Sequence, residues 1–294
     1  MEFGKISEEE LLSADLTLPP DSGKSVDYLN ENKDTRQTRI YVGCAKWGQK
    51  DWVGKIYREG SSEEEFLDQY IAKYDALELD STFYNIQRKN VQKLIDAAKG
   101  KEFKYCPKFN RRISHAKTFE ETKDLTGYFV SLMLEFGENL GVCILQFPEY
   151  FAVKRMEELD NFLATLPPEF PVSVELRNKG WFSEPNHPVF DMLRKRSAGA
   201  AITDTAGRRD AVHMQITNPN IVIRYVGNNM HPTDFARIDA WAGRINEWKR
   251  YNALEAIYFF VHNDDEGYSP AMAGYMAERL RETGAPVKAP VIAY

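Results

Sequence analysis

The segment Ala76-Leu-Glu-Leu-Asp-Ser-Thr-Phe-Tyr84 begins as an alternating apolar run and ends in a cluster of polar groups. The cluster consists of Asp80, Ser81, Thr82 and Tyr84. A strand that only leads into a turn ends in residues such as glycine or proline, which suit the turn backbone. Hydroxyls, a carboxylate and a phenol in that place indicate instead that the carboxyl end of this strand forms the floor of a functional site.

Seven other short runs of β-branched or aromatic residues repeat the pattern. They span residues 40–43, 103–106, 142–145, 172–177, 200–203, 221–225 and 256–261. The polar or aromatic residues at or just after their ends are Lys46, Trp47, Lys108, Asn110, Gln146, Glu175, Arg177, Asp204, Arg224, His262, Asn263 and Asp264. Eight strands, most of them followed by a helix-like segment, predict an α/β fold of the TIM (β/α)8 barrel class. Because the carboxyl ends of all strands in such a barrel meet on one face, we expect one site there.

Residues 39–294 are predicted to form one barrel domain, and residues 1–38 an extension of it. A chain of 294 residues fits one such barrel, which typically occupies about 250 residues. In the extension, Ser7 and Glu10 have the spacing of a capping box for a short helix, and residues 19–23 are predicted to be a turn or linker. The interval between Asp204 and Ile221 is short and contains turn residues, so we expect the sixth helix to be absent or reduced to a turn.

The composition narrows the class of protein. With 38 basic and 44 acidic residues the net charge is −6, which disfavours general nucleic-acid binding because that needs a basic surface. We find no secretory signal and no apolar run near the ~20 residues that cross a membrane, and therefore expect a cytoplasmic protein without a membrane partner. The three cysteines, Cys44, Cys106 and Cys143, are predicted to be buried reduced thiols. No cofactor and no oligomeric state is assigned.

Familiar motifs for cofactor binding and hydrolysis are missing. No two glycines are two residues apart, so the dinucleotide-binding motif G-x-G-x-x-G is absent. Gly43 and Gly48 have the spacing of a phosphate-binding loop, but Gln49 stands where that loop needs lysine. The chain also has no G-x-S-x-G elbow and no H-E-x-x-H pair, which disfavours the simplest hydrolases and zinc proteases.

Several motifs together resemble one known family. They are Gly43 with Trp47, Glu78-Leu-Asp-Ser-Thr-Phe-Tyr84, Lys108, Leu145-Gln-Phe-Pro148, Glu175-Leu-Arg177, Trp181-Phe182, Asp204, Arg224 and Asn263-Asp264. On these residues the chain is similar to the YecE-like proteins (domain of unknown function 72) over roughly residues 39–283. The resemblance implies a TIM barrel with a shared site. It implies no activity, because the family has none assigned.

The chain departs from the family pattern at four positions near the expected site. Asp80 stands where asparagine is common, and Val226 where histidine often precedes the glycine. Asn178 replaces a histidine after the arginine of the fifth strand, and His262 replaces asparagine or phenylalanine. These changes alter the polarity at the carboxyl ends of the predicted barrel strands, so a substrate of one relative need not be the substrate of this chain.

Glu175 is the leading candidate for a catalytic residue. It lies in a predicted strand, and Arg177 follows two residues later on the same side of that strand. A buried carboxylate needs a partner, for which Arg177, Arg224 and Lys108 are available. Proton transfer by Glu175 and a purely structural Glu–Arg ion pair are both compatible with the pattern.

Lys108 has two alternative functional roles. Beside other cations its pKa would fall, and it would act as a base or form a Schiff base. Beside Glu175 or Asp204 it would stay charged and anchor an anionic substrate. A third reading places only its aliphatic stem on apolar surface, with the ammonium in water.

Asp80 and Asp204 are predicted to work with Glu175 in acid–base catalysis. An alternative is a metal site, with Mg²⁺ or Mn²⁺ on the carboxylates or Zn²⁺ if His262 takes part. Asp204 is also compatible with a helix cap. The predicted substrate-binding residues are Arg177, Arg224, Trp47, Ser81, Thr82, Tyr84, Trp181, Gln146 and Asn263, among which Trp47, Tyr84 and Trp181 would form an aromatic wall for a sugar or a base.

Three functions follow as hypotheses. The first is an enzyme that acts on a small polar or anionic metabolite by acid–base chemistry. The second is a metal-assisted phosphodiester hydrolase with Glu175, Asp204 and His262 as ligands. The third is a non-catalytic barrel that binds a ligand or, through residues 1–38, a protein partner.

Overall fold

The computed structural model describes residues 3–35, 37–184 and 187–290. In these ranges the chain forms an α/β structure with parallel strands. The strands are β1 Arg39–Cys44, β2 Ala76–Leu79, β3 Lys104–Pro107, β4 Cys143–Gln146, β5 Val172–Glu175, β6 Gly199–Ala200, β7 Ile202–Asp204, β8 Asn220–Val226 and β9 Ala256–His262. The helices are α1 Glu8–Ser13, α2 Gly23–Glu31, α3 Phe66–Lys73, α4 Ser81–Tyr84, α5 Arg88–Ala98, α6 Arg111–Ser114, α7 Lys123–Leu134, α8 Met156–Ala164, α9 Pro188–Lys195, α10 Pro232–Lys249 and α11 Ser269–Glu282.

The strands pair in two parallel sheets with the orders β3-β2-β1-β9-β8-β7 and β4-β5-β6. Two isolated parallel bridges connect the two sheets. Tyr105 of β3 pairs with Leu140, which precedes β4, and Lys108, the residue after β3, pairs with Ile144 of β4. At the other place where the sheets are adjacent, β6 and β7 are separated only by Ala201, whose N–H donates to the carbonyl of Val174 at 2.9 Å. All eight predicted strand runs are therefore strands, and the sixth is divided into β6 and β7.

Capping side chains mark the starts of three helices in the first part of the chain. Before α3, Ser62 and Glu65 form a capping box around a 3-10 turn, and buried Phe66 and Tyr70 then face the core. The predicted capping box of Ser7 and Glu10 opens α1. Residues 19–23 were predicted to be a turn or linker, and here the prediction is wrong at the end of the segment. The Ser22 side chain accepts a hydrogen bond from the Ser25 N–H and starts α2 at Gly23.

The sixth connection contains only a 3-10 turn, Arg209–Ala211, as predicted. Helix α2 of the N-terminal extension lies beside this connection, since Ser25 Oγ donates to the Met214 carbonyl at 3.0 Å and accepts from the Ile216 N–H at 2.8 Å. Lys24 pairs with Asp191 of α9 at 2.5 Å. The extension thus packs against the segment that lacks a sixth helix.

The segment just before α2 also contacts α10. Asp21 accepts hydrogen bonds from Arg244 at 2.9 Å and from the indole N–H of Trp248 at 3.0 Å. Residues 21–25 therefore touch both α9 and α10, which are the helices on either side of the missing one. The extension takes the place that a sixth helix would occupy between them.

The interior has two apolar layers. A small cluster lies among the strands themselves and includes Ala76, Cys106, Ile144, Val222 and Phe260. A larger cluster fills the space between the strands and the helices. The three cysteines are buried and unpaired, as predicted, and burial raises the pKa of Cys44. None of the helices in the described ranges combines the length and the apolar character needed to cross a membrane.

Candidate functional site

Side-chain alternation selects the residues of the site. In a strand, residues two apart point to the same face, so each residue two positions after a member of the small inner cluster also points inward. Glu78 follows Ala76, Lys108 follows Cys106, and Arg224 follows Val222 in this way. The polar side chains that this rule places at the carboxyl ends include Glu78, Lys108, Gln146, Thr203, Arg224 and His262, and the bonds below add Glu175.

Arg224 is the centre of this group and is fully buried. Its Nε and Nη2 donate to the carboxylate of Glu78 at 2.9 and 2.6 Å. Its Nη1 donates to Oε2 of Glu175 at 2.5 Å and reaches Oε1 of Gln146 at 3.4 Å. Both carboxylates are fully buried too, so one guanidinium from β8 joins carboxylates from β2 and β5 out of contact with water.

The group extends beyond each carboxylate. On the β9 side, Nε2 of His262 lies 2.9 Å from Glu78 Oε2. On the β5 side, Nε of Arg177 donates to Glu175 Oε1 at 2.7 Å. Only the Arg177 end reaches towards the surface, since its side chain is 13% exposed. The interior group is thus a chain of charges, from Glu78 through Arg224 and Glu175 to Arg177, with one outlet, and His262 is bonded to its inner end.

The charge state of Glu175 follows from these contacts. Burial raises the pKa of its carboxyl, but the guanidinium groups of Arg177 and Arg224 and the ammonium of Lys108 lower it more, to about 2. Burial likewise raises the pKa of Glu78, and Arg224 and His262 bring it well below its usual range. Both groups are therefore carboxylates at neutral pH.

Lys108 and Asp80 form a second pair beside this chain of charges. Lys108 Nζ lies 3.0 Å from Asp80 Oδ1, and the side chains are 8% and 27% exposed. Asp80 Oδ1 makes no aligned hydrogen bond within the described residues. The ammonium also lies 4.8 Å from the ring centre of Phe83. A largely buried ammonium and a partly exposed carboxylate thus lie side by side at the strand ends.

The other residues of the 80–84 segment have different surroundings. Ser81 is exposed, and so is Tyr84. Thr82 is buried, and its Oγ1 lies 2.9 Å from the Leu79 carbonyl and 2.7 Å from the Lys108 carbonyl. Thr82 therefore fixes the backbone of the two strand ends and does not present its hydroxyl to a ligand.

The structure places two of the three residues of the predicted aromatic wall in packed surroundings. Trp181 is fully buried, and its Nε1 donates to the Phe151 carbonyl at 2.8 Å. Trp47 is half-buried and packs against the outer apolar cluster. Asn263 is also buried, with Nδ2 donating to Ser269 Oγ at 3.1 Å. These contacts explain Trp181 and Asn263 by packing and loop structure, without a ligand.

Asp204 belongs to a separate cluster. It follows Ile202, which packs in the outer apolar cluster, so its side chain points away from the inner group and towards α10. There it accepts hydrogen bonds from Arg237 at 2.7 Å and from the indole N–H of Trp241 at 2.5 Å, and it pairs with Arg209. The arginines lower the pKa of Asp204 against the effect of burial. The structure therefore does not bring Asp204 together with Glu175.

The predicted metal site does not fit the residues present. Glu175 is bonded to two arginines. The side chain of Asp204 points outward from its strand, whereas those of Glu175 and His262 point inward from theirs. Within residues 3–35, 37–184 and 187–290, no three His, Cys, Asp or Glu side chains are arranged to hold a metal ion. The set Glu175, Asp204 and His262 therefore cannot bind one ion together.

The N-terminal segment lies against the outlet at Arg177. The ring of Phe3 is 4.6 Å from the guanidinium carbon of Arg177 and 4.8 Å from that of Arg208. The Gly4 carbonyl accepts from Thr205 Oγ1 at 3.0 Å and from the Gly207 N–H at 2.8 Å. Residues 3 and 4 thus cover the β5 and β7 side of the strand ends.

Sequence reasoning missed two members of the inner group. Glu78 lies inside the segment that first indicated the site, and His262 was considered only as a zinc ligand. Both lie two residues after an inward apolar position, Ala76 and Phe260. Once one inward residue of each strand is fixed, this spacing identifies Glu78 and His262 and removes Asp204.

Comparison with known proteins gives a consistent result. The family model described as protein of unknown function DUF72 matches residues 41–293. UPF0759 protein YecE of Escherichia coli (strain K12) is 26% identical over 264 residues, covering 83% of this chain and 93% of YecE. UPF0759 protein YunF of Bacillus subtilis (strain 168) is 27% identical over 154 residues, covering 50% of this chain and 53% of YunF.

Solved structures of DUF72 family proteins share the fold. The one from Enterococcus faecalis V583 superposes with a TM-score of 0.67 at 16% identity, covering 82% of this chain and 95% of that one. The one from Thermotoga maritima MSB8 gives a TM-score of 0.65 at 18% identity, covering 83% and 99%. The match leaves residues 1–40, and with them α1 and α2, outside the family model.

Proposed function

The chain belongs to the family described as protein of unknown function DUF72, and we propose its function from the site itself. In this proposal the chain is an enzyme that binds a small anionic metabolite at the carboxyl ends of its strands and transfers a proton there. We also propose that residues 39–294 form one domain, that residues 1–38 are an extension of it, and that the protein acts in the cytoplasm.

In this proposal the two sheets form one closed eight-stranded barrel, with β6 and β7 as parts of one strand. The bridge of Lys108 with Ile144 and the hydrogen bond from the Phe109 N–H to the Ile144 carbonyl at 2.9 Å support closure between β3 and β4. The single residue between β6 and β7 supports closure on the other side. In such a barrel the loops after the strands surround one active-site face.

One observation carries the anion-binding part of the proposal. Lys108 and Arg177 are the cations of the group with the most exposed side chains, 8% and 13%, and each is paired with a carboxylate, Asp80 and Glu175 respectively. A cation whose position is fixed before binding loses little entropy when a ligand arrives. Exposed Arg111 and Arg112 on the neighbouring helix α6 add positive charge at the rim of a chain that is negative overall.

Glu175 and Asp80 have different roles in this proposal. Glu175, with a pKa of about 2, accepts a proton poorly at neutral pH. Its role is therefore to position Arg177 and Arg224, not to act as the base that the sequence suggested. Asp80 is better suited to move a proton, because its side chain is 27% exposed and lies next to the ammonium that would hold the substrate.

The other two hypotheses receive less support. The metal-assisted hydrolase needs ligands that lie on different faces of their strands. The binding of a protein partner through residues 1–38 needs a segment that can leave the core, whereas Ser25 and Leu29 are buried in it and Asp21 binds α10. Deleting the whole extension would therefore disturb the fold and could not separate partner binding from catalysis.

The test is a thermal-shift screen of the full chain against phosphorylated sugars, carboxylic acids and inorganic phosphate. A ligand that binds only the native state raises the melting temperature with concentration. We expect stabilisation by anions, lost in Lys108→Met. Stabilising compounds are then incubated with the protein and followed by NMR for conversion.

Asp80→Asn separates catalysis from binding. We expect it to keep the stabilisation by the ligand and to lose turnover by about 100-fold or more, because general acid–base catalysis contributes at least this much. The control is Asp96→Asn on the exposed face of α5, which should change neither property. Full turnover in Asp80→Asn would contradict the catalytic role, and stabilisation that survives in Lys108→Met would contradict the site.

A further inference from the structure

A row of aromatic rings borders the Lys108 side of the strand ends. The ring centres of Tyr84 and Phe83 are 5.1 Å apart, those of Phe83 and His115 are 5.4 Å apart, and those of His115 and Tyr150 are 6.3 Å apart. The Tyr150 hydroxyl also donates to the His115 carbonyl at 3.2 Å. Helix α4, the residue after α6 and the loop after β4 therefore contribute to one continuous row.

The two ends of the row are open to solvent. Tyr84 is 71% exposed and Tyr150 is 64% exposed. Neighbouring rings in the row meet at 87°, 75° and 86°, so they do not cover one another face to face. Large aromatic side chains are costly to leave in water, and monomeric proteins that expose several together commonly use them for binding.

Cations lie directly beside these rings. Lys108 Nζ is 4.8 Å from the Phe83 ring centre. The charges of Arg111, Arg177 and Lys108 are close enough to act on His115, since burial lowers its pKa and these three cations lower it further. His115 is thus biased towards the neutral ring, which offers a flat surface without adding to the local positive charge.

From this arrangement we propose that the ligand of the site is an anion that carries a planar aromatic ring. The anionic group binds Lys108 and Arg177, and the ring stacks on one of the two exposed rings at the ends of the row, Tyr84 or Tyr150. The proposal rests on the anion-binding function above and adds the class of the organic part of the ligand. The chemistry is shared by nucleoside monophosphates and by aromatic carboxylates, which the experiment separates.

The aromatic surface differs from the one that the sequence suggested. Trp181 is buried in packing, whereas Tyr84 keeps its predicted place and is joined by Phe83, His115 and Tyr150. A sugar phosphate would use the cations but gain less from rings, because stacking needs a π face on the ligand. The distinction between a ring and a sugar can therefore be measured as a difference in affinity.

The experiment compares dissociation constants for adenosine 5′-monophosphate, uridine 5′-monophosphate, benzoate, ribose 5-phosphate and adenosine. We expect at least one of the three ring-bearing anions to bind about 10-fold or more tightly than ribose 5-phosphate, as one stacked ring typically provides. Adenosine, which has a ring without the anion, should bind more weakly than its monophosphate. Preference for the monophosphates or for benzoate identifies the source of the anionic group.

Variants assign the gain to the rings. Either Tyr84→Ala or Tyr150→Ala should remove most of the advantage of the ring-bearing anion, and both should leave the affinity for ribose 5-phosphate within about two-fold, a change below 0.5 kcal/mol. Tyr128→Ala on α7, another exposed tyrosine outside the row, is the matched control and should change neither affinity. Lys108→Met should weaken both kinds of ligand.

The outcomes distinguish this proposal from the one on which it rests. If ribose 5-phosphate binds through Lys108 and no ring-bearing anion binds more tightly, the ring is refuted and the anion site stands. If Tyr84→Ala and Tyr150→Ala keep the full advantage, the aromatic row is refuted as its cause. If none of the anions binds, the anion site itself is refuted, and the ring proposal with it.

Discussion

Two buried arginine–carboxylate clusters in this molecule have similar chemistry and different surroundings. In the inner cluster, Arg224 binds Glu78 and Glu175 at the ends of three strands. In the outer cluster, Arg237 binds Asp204 between a strand and helix α10, and Trp241 completes it. Each cluster also has a second, partly exposed arginine, Arg177 on the inner one and Arg209 on the outer one, with side chains 13% and 22% exposed. Buried charge beside a partly exposed arginine therefore does not by itself mark a functional site, and what distinguishes the inner cluster is that its groups come from several strand ends.

The difference arises from the position of each carboxylate along its strand. Glu78 shares a face with Ala76 of the inner apolar cluster, and Asp204 shares a face with Ile202 of the outer one. A shift of one residue moves a side chain to the opposite face of a strand. One carboxylate thus meets groups from other strands, and the other meets a helix that only supports the fold.

The largest expected effect comes from Arg224→Met. It removes the guanidinium that Glu78 and Glu175 share, so Glu78 keeps only His262 and Glu175 keeps only Arg177 as a partner. Breaking one buried ion pair typically costs about 3–5 kcal/mol, and here we expect about 5 kcal/mol or more of unfolding free energy to be lost. Chemical denaturation measures it, at a pH where the wild type is stable.

A rescue variant keeps this prediction decisive if Arg224→Met does not fold. Replacing Glu78 and Glu175 by glutamine together with Arg224→Met removes the uncompensated charges, so this triple variant should be more stable than Arg224→Met alone. A triple variant less stable than the single one would show that the charges are not the cause of the loss.

The next largest effect is expected for Arg237→Met in the outer cluster. Arg237 also pairs with buried Asp234. Asp204 keeps Trp241 and Arg209 as partners in this variant, and Asp234 keeps two hydrogen bonds from Asn228, so we expect the smaller loss of about 3–5 kcal/mol. The folded fraction should bind anions as the wild type does, because the site lies on the other face of the strand. Weaker anion binding in folded Arg237→Met would break the separation between the two clusters.

The acid dependence of Glu175→Gln gives a third, somewhat smaller effect. The pKa of Glu175 is lowered from 4.5 to about 2 in the native state, so ionised Glu175 stabilises the fold above pH 4.5 and loses this effect as the pH falls towards 2. The shift corresponds to roughly 3 kcal/mol at neutral pH. Wild type should exceed Glu175→Gln by about that amount at pH 7, and the gap should shrink towards pH 3.

Taking the difference between the two proteins removes other acid-sensitive groups. Burial lowers the pKa of His213 from 6.5 to about 4, so His213 destabilises the fold as the pH falls from 6.5 to about 4, equally in both proteins. Urea denaturation at several pH values yields the difference directly. A gap that does not change between pH 7 and pH 3 would show that Glu175 is not held as a carboxylate by its arginines.

The smallest predicted effect concerns the outlet. Phe3→Ala removes the ring that covers Arg177, and a cation–π contact of this kind contributes about 0.5–1 kcal/mol. We expect phosphate to bind about 2–5-fold more tightly, since Arg177 becomes easier to reach. Faster proteolysis before α1 should accompany the change, because the segment loses an anchor while the core keeps its own. Unchanged phosphate affinity would show that Phe3 does not limit access.

The strands could be predicted from sequence because each is a short β-branched or aromatic run bounded by polar or turn residues. The missing sixth helix could be predicted too, because turn residues crowd residues 204–221. Helix α2 was not predicted, since two prolines and a glycine beside Ser22 are equally typical of a linker. Only contacts with α9 and α10 show that this segment fills the place of a helix.

The candidate site could be predicted only in part. The residues Lys108, Glu175, Arg177 and Arg224 share one cluster because each lies at a strand end on the inner face. Trp181 and Asp204 also lie at strand ends or close after them, but their partners, the Phe151 carbonyl and Arg237, come from distant parts of the chain. A single sequence does not give such partners, and so it does not separate a packed residue from a binding one.

The most direct test of the account is a phosphate titration followed by the melting temperature. It compares wild type, Lys108→Met, Arg177→Gln and the exposed control Lys154→Met. The account predicts a rise with phosphate concentration in wild type and in Lys154→Met, and a much smaller rise in Lys108→Met and Arg177→Gln. Equal stabilisation of all four proteins would contradict it, because phosphate would then bind without the two cations at the strand ends.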